Sequence, residues 1–181
     1  MDGRVKPGHD DWGRGSANSY MFLIMDDLRN LYQEVILDHG KHPRNFGHPA
    51  DANRTAHGHN AMCGDTIDVF LTVDDKGRIR HAAFEGQGCA ISVASASMMT
   101  EMLKGRTAEE AKRLFGTVHA LCTGREDVDL TTLDDDTADR VQVLSGVRQY
   151  PMRVKCATLA WHTMEKAMEG GSEPVSTESV A

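Results

Sequence analysis

No stretch of this 181-residue chain approaches the roughly 20 consecutive apolar residues that a membrane-spanning helix requires. The most apolar segment near the start, Tyr20 to Met25, is too short for a signal-peptide core. Long runs of Lys or Arg are missing as well, and the net charge is −7, which argues against nucleic acid and against an anionic membrane as partners. Cysteine is scarce, four in all. With no export signal in view, the expected compartment is the cytoplasm, where such cysteines are free thiols or ligands, not disulfides. What is present is an ordinary globular composition, 40% hydrophobic and 26% charged, in a length that supports one well-buried core.

The two ends differ from the middle. Met1 to Ser19 is glycine-rich and charged without apolar periodicity, so residues 1–24 are expected to form a disordered leader. Met25 directly precedes Asp26-Asp27-Leu28, which reads as a helix opening and is a second expected start of translation. Residues 25–169 form the expected domain, and 170–181, rich in Gly, Ser, Thr and Glu, the expected tail.

Within the domain the periodicity changes in order. Leu28, Leu31, Tyr32, Val35 and Ile36 recur at helical spacing, with Asp38-His39-Gly40 as a stop. Pro49 to Gly58 reads as an irregular approach to Cys63. Ile67, Val69, Leu71 and Val73 then alternate as a strand, and Asp74-Asp75-Lys76-Gly77 turns it into a second strand over Arg78 to Glu85. Ala90 to Leu103 suits a buried helix, with Met98, Met99 and Met102 as core filler. Thr107-Ala108-Glu109-Glu110 opens another helix, running to about His119. Cys122 to Asp136, acidic and poor in apolar residues, reads as an exposed loop or insertion, and Thr137 to Leu144 as a short helix. A final helix over Arg153 to Glu169 carries Ala157, Ala160, Trp161, Met164 and Met168 on its inner stripe.

Three cysteines sit in settings unlike core positions: Cys63-Gly64-Asp65, Gly86-Gln87-Gly88-Cys89 and Arg153-Val154-Lys155-Cys156. Cys63 precedes the first hairpin strand and Cys89 follows the second, so antiparallel pairing brings both to one end of the hairpin. Cys156 is expected in the first turn of the last helix, where the helix start, Lys155 and Arg153 would favour its thiolate. Three thiolates and the Asp65 carboxylate make a closed tetrahedral set for zinc, and the same thiolates suit iron and sulfide. Cys122, outside these motifs, is expected to be a buried or bystander residue. His57 and His59 are read as solvated loop histidines.

The order Leu31-Tyr32, Pro43-Arg44-Asn45, Cys63-Gly64-Asp65, Phe84 to Ser92, Ala94 to Met99, and Arg153-Val154-Lys155-Cys156-Ala157 resembles the IscU/NifU N-terminal family of iron–sulfur cluster assembly proteins. The resemblance covers roughly Asp26 to Glu169. It implies an α+β fold, a small antiparallel sheet with helices packed on one side, and a surface site of three cysteines and one aspartate. Lys155, where IscU-type members carry histidine, and an added segment around Leu114 to Thr137 make the chain similar to the SufU branch. That branch implies a Zn2+ site at Cys63, Asp65, Cys89 and Cys156 and Cys63 as acceptor of persulfide sulfur from a SufS-like cysteine desulfurase. Arg153 is a candidate to stabilise the resulting anion.

Two other readings stand beside it. In one, the chain is a scaffold on which an iron–sulfur cluster is built by Cys63, Cys89 and Cys156 and handed to apo-proteins. In the other, it is a zinc-stabilised interaction module.

Overall fold

The computed structural model of the protein describes residues 16–171 and 173–178. Most of the expected leader, residues 1–15, lies outside them. The described elements are α1 (Ser16–Lys41), β1 (Arg54–Asn60), β2 (Asp65–Val73), β3 (Ile79–Gln87), α2 (Ala90–Leu103), α3 (Ala108–Cys122), α4 (Asp135–Leu144), a 3-10 segment (Ser145–Gln149), α5 (Pro151–Glu169) and β4 (Val175–Ser176).

The alternation of Ile67, Val69 and Leu71 has the expected consequence: all three are fully buried. β2 pairs antiparallel with β3, setting Val69 opposite Phe84 and Thr66 opposite Gln87. The turn between them is held by Asp74, whose carboxylate accepts the backbone N–H groups of Lys76 and Arg78, and Gly77 supplies its left-handed residue at φ 73°. The sheet order is β3-β2-β1-β4, and α2 and α5 pack against it. On the outer face His48 stacks on Phe70, ring centroids 4.1 Å apart.

One interior hydroxyl, that of Ser95, locks α2 to α5 through two hydrogen bonds. Trp161 Nε1 donates to Ser95 Oγ at 3.1 Å, and Ser95 in turn donates to the Ala157 carbonyl. Since Cys89 begins α2 and Cys156 lies on α5, this clamp sets the spacing of two of the thiol-bearing elements. α3 opens with a reciprocal capping box between Thr107 and Glu110. The acidic segment before α4 is anchored where Arg106 meets both Asp134, at 3.3 Å, and Thr137, at 3.0 Å.

Several expectations are corrected. α1 begins at Ser16, not at Asp26, because no Gly or Pro interrupts the chain from Ser16 to His39 and a helix once formed propagates through such a run. It also continues through Gly40 to Lys41. Gly40 meets Ala90 there, so the glycine allows close helix approach and does not end the helix. The segment read as irregular, Pro49 to Gly58, holds most of β1, which pairs antiparallel with β2 over its whole length. His57 and His59 are therefore strand residues, and His57 Nδ1 lies 2.7 Å from Asp68 Oδ1. Asp135 and Asp136, placed in the loop, form the first turn of α4, where carboxylates suit the helix's positive end. Within the expected tail, Val175 and Ser176 pair in parallel with Gly58 and His59 and cover the β1 edge. No helix among the described residues is long and apolar enough to cross a membrane.

Candidate metal centre

The candidate ligands come from three separate places in the fold. Cys63 sits in the tight turn between β1 and β2, closed by a bond from the Gly64 N–H to the Asn60 carbonyl at 2.8 Å. Gly64 takes a left-handed φ of 71° in that turn, a conformation that explains glycine after the cysteine. Asp65 follows as the first residue of β2 and is buried. Cys89 is the N-cap of α2, and Cys156 lies in α5, buried.

These residues converge. Cys63 Sγ and Cys156 Sγ are 3.3 Å apart across 93 residues of sequence. One ligand atom from each of Cys63, Asp65 and Cys156 lies within 4.8 Å of the others. Tetrahedral bonds of about 2.3 Å require ligand separations of about 3.8 Å, so only small side-chain adjustments separate this group from coordination. Cys89 stands outside that three-membered group, but its sulfur is 3.8 Å from Asp65 Oδ2 and its backbone N–H donates to Asp65 Oδ1 at 3.0 Å. A Cβ on Gly88 would approach Asp65 Oδ1 to 2.7 Å, which is why the chain carries glycine beside this carboxylate. Sulfur donors with a single carboxylate suit zinc or thiolate-bound iron and do not suit magnesium or calcium, which take oxygen.

The electrostatics reverse one expectation. Pro151 opens α5, so Cys156 falls in its second turn, away from the free N–H groups of the helix start. Its thiol is pushed up, first by its hydrogen bond with Cys89 and then by burial. The helix-start effect belongs to Cys89, whose sulfur accepts the Ser92 N–H at 3.4 Å. Its pKa is drawn down to about 6, first by the hydrogen bond with Cys156 and further by the backbone N–H groups of Ser92 and Ile91, against the opposing effects of burial and Asp65. A thiolate at Cys89 with its proton held at Cys156 is the preferred arrangement of that pair.

Arg153 rests on an aromatic ring at the start of α5. Its guanidinium lies 4.8 Å from the centre of the Tyr150 ring, and among the described residues it makes no ion pair. Cys122 is buried at the end of α3, outside the group, and burial pushes its thiol up to about 12. Sequence reasoning missed Asn60. Its side chain is buried, donates from Nδ2 to Cys156 Sγ at 3.7 Å and accepts the Met62 N–H at Oδ1, 3.2 Å away. Its place three residues before a cysteine was the available signal, but it was hidden while β1 was unrecognised.

Residues 31–157 match the family model of the NifU-like N terminal domain. The chain belongs to this family. It is 40% identical over 149 residues to the zinc-dependent sulfurtransferase SufU of Bacillus subtilis, covering 81% of this chain and 97% of that protein. It is 37% identical over 147 residues to the iron–sulfur cluster assembly scaffold protein IscU of Thermotoga maritima, covering 81% of this chain and 99% of the relative. A crystal structure from Fervidobacterium islandicum AW-1, described as an iron–sulfur cluster assembly scaffold protein for a SUF system, superposes with a TM-score of 0.66 at 33% identity. That superposition covers 75% of this chain and 94% of the other. A NifU-like N-terminal structure from Brucella abortus shares the fold, with a TM-score of 0.67 at 23% identity.

Proposed function

We propose that this NifU-like domain is a zinc-dependent sulfur acceptor in iron–sulfur cluster assembly, working with a SufS-like cysteine desulfurase. The observation that carries the reading is the convergence of Cys63, Asp65 and Cys156 within 4.8 Å, with Cys89 against the same carboxylate. The resemblance to a zinc-dependent sulfurtransferase over most of both chains supports it. In this reading all four residues hold zinc, which keeps the thiols deprotonated while shielding them as nucleophiles.

Cys63 is the exposed member of the set and the one that a partner's sulfur can reach. Its thiolate, once a partner's ligand had taken its place on the ion, would attack the outer sulfur of the desulfurase persulfide. A new S–S bond forms at Cys63 Sγ, the donor's S–S bond breaks, and the desulfurase cysteine leaves as a thiolate. Arg153, three residues before Cys156, is the proposed cation for the new persulfide anion. Arg153→Ala is expected to lower sulfur uptake at unchanged zinc content.

A scaffold role for the same thiolates is the second reading, favoured by the similarity to IscU of Thermotoga maritima. Anaerobic purification, metal analysis and an absorbance scan separate the two. One tightly held zinc, with desulfurase turnover raised several-fold by the protein, supports sulfur transfer. A brown protein with thiolate–iron absorption and no such stimulation favours the scaffold.

A further inference from the structure

We infer that Asn60 is a positioning residue that ties the Cys63 turn to the Cys156 sulfur, and so decides how firmly the thiol set holds its ion and which thiol takes sulfur. The inference rests on the proposed function for its meaning, but its geometry stands alone. Asn60 is the last residue of β1 and is 1% exposed. A buried primary amide must satisfy donors and an acceptor, and this one divides them between two parts of the site. Its Oδ1 accepts the Met62 N–H at 3.2 Å and its backbone carbonyl accepts the Gly64 N–H at 2.8 Å, so it shapes the turn that carries Cys63 from both sides. Its Nδ2 donates to Cys156 Sγ at 3.7 Å, within reach for a sulfur acceptor.

The consequence is an asymmetry between two adjacent sulfurs. Cys156 is buried and receives a side-chain N–H, whereas Cys63 is exposed and, among the described residues, accepts only the Cys156 S–H, a donor that is lost once the thiols are deprotonated on an ion. A sulfur held by such a donor stays in place and is a poorer nucleophile, because the donor occupies a lone pair. Outer hydrogen bonds of this kind also orient the ligands of metal sites and strengthen their hold. Asn60 thereby leaves Cys63 as the thiol that departs first and accepts sulfur, while Cys156 remains as anchor.

Asn60→Asp keeps the shape and the acceptor for the Met62 N–H and removes the donor to Cys156, and because it also adds a carboxylate beside the thiols it is measured together with Asn60→Ala, which removes the donor without adding charge. The zinc-loaded protein is mixed with a chromogenic chelator and the rate of zinc release is followed. The wild-type protein is expected to release zinc at least about tenfold more slowly than either variant, in line with the effect of losing an outer-shell partner. Equal rates from two folded proteins, checked by circular dichroism, overturn the inference.

Should Asn60→Asp fail to fold, Asn60→Ala alone is read in the same way. A wild-type protein that holds no zinc counts against the proposed function. In that case the metal-free proteins are treated with glutathione persulfide and the modified cysteine is located by mass spectrometry. Modification confined to Cys63 in the wild type and spread to Cys156 in the variant supports the inference, and an identical pattern in both overturns it.

Discussion

Two single side chains carry consequences set first by burial. Cys122 is fully enclosed and hydrogen-bonded at most weakly, to the Leu144 carbonyl at 3.7 Å, so its thiol, pushed up to about 12, stays protonated under ordinary conditions. Iodoacetamide is therefore expected to label Cys63 in the native metal-free protein and to reach Cys122 only after unfolding in urea; native labelling of Cys122 at a similar rate would contradict its enclosure. His162 offers a second test. It is packed against Phe115 and His119, and burial first, then the neighbouring His119, draws its pKa from 6.5 down to about 4. Between those values the unfolded chain binds the proton and the folded one does not, so stability is retained above pH 6.5 and lost as pH falls toward 4. Relative to His162→Gln, the wild-type protein is expected to lose about 1 kcal/mol more of unfolding free energy between about pH 7 and about pH 5. That figure lies below the full linkage because the ring keeps some solvent access. Parallel urea titrations of both proteins check it, and equal losses would remove His162 as a source of acid sensitivity.

Elements show why packing can hide a strand from its own sequence. β1 reads Arg-Thr-Ala-His-Gly-His-Asn, without the β-branched alternation that announced β2, and its inward position 58 is a glycine because α5 crosses there. A Cβ at Gly58 would lie 2.0 Å from Thr163 Oγ1 and 3.1 Å from Leu159 Cδ1. Thr163 has little freedom to give way, since its hydroxyl is bonded to the Leu159 carbonyl at 2.8 Å. Gly58→Ala is expected to cost about 1–3 kcal/mol as an overpacked contact, and Thr163→Ala in the same chain to recover much of it. Strict additivity in a double-mutant cycle by urea unfolding would show that the α5–β1 contact is not the cause. The β2–β3 hairpin was legible because period and turn agreed, and with it the placing of Cys63 and Cys89 at the end of the hairpin where Thr66 pairs with Gln87. The thiol electrostatics were not, since Pro151, which could equally end a segment or open one, set the start of α5 and moved Cys156 out of the first turn. The tail strand was invisible for a different reason: Val175 and Ser176 gain their strand pairing from an edge that the sequence left unassigned.

At the scale of the whole molecule, the proposed ligand set exists only when the fold does. Cys63 belongs to the turn before β2, Cys89 to the start of α2 and Cys156 to α5, and the sulfurs of Cys63 and Cys156, which meet at 3.3 Å, are separated by 93 residues along the chain. An ion held by this set binds the native state and finds no comparable site in the unfolded chain, so its binding free energy adds to stability. At free zinc about a thousandfold above the dissociation constant the addition is about 4 kcal/mol. In a domain of this size each kcal/mol moves the midpoint by about 2–4 °C, which sets an expected loss of about 10 °C in Tm on removing zinc with a chelator. The same comparison assigns the ligands. Cys156→Ser is expected to melt at one temperature with or without zinc, because it removes a sulfur from the centre of the group. Cys122→Ser, although it disturbs the core, is expected to keep the full zinc-dependent shift, since that thiol lies at the far end of α3 with its bond directed to the Leu144 carbonyl. Calorimetry of the two variants with and without chelator decides the matter: a zinc-dependent shift that survives Cys156→Ser and disappears in Cys122→Ser would place the ion somewhere other than the junction of the β1–β2 turn, α2 and α5.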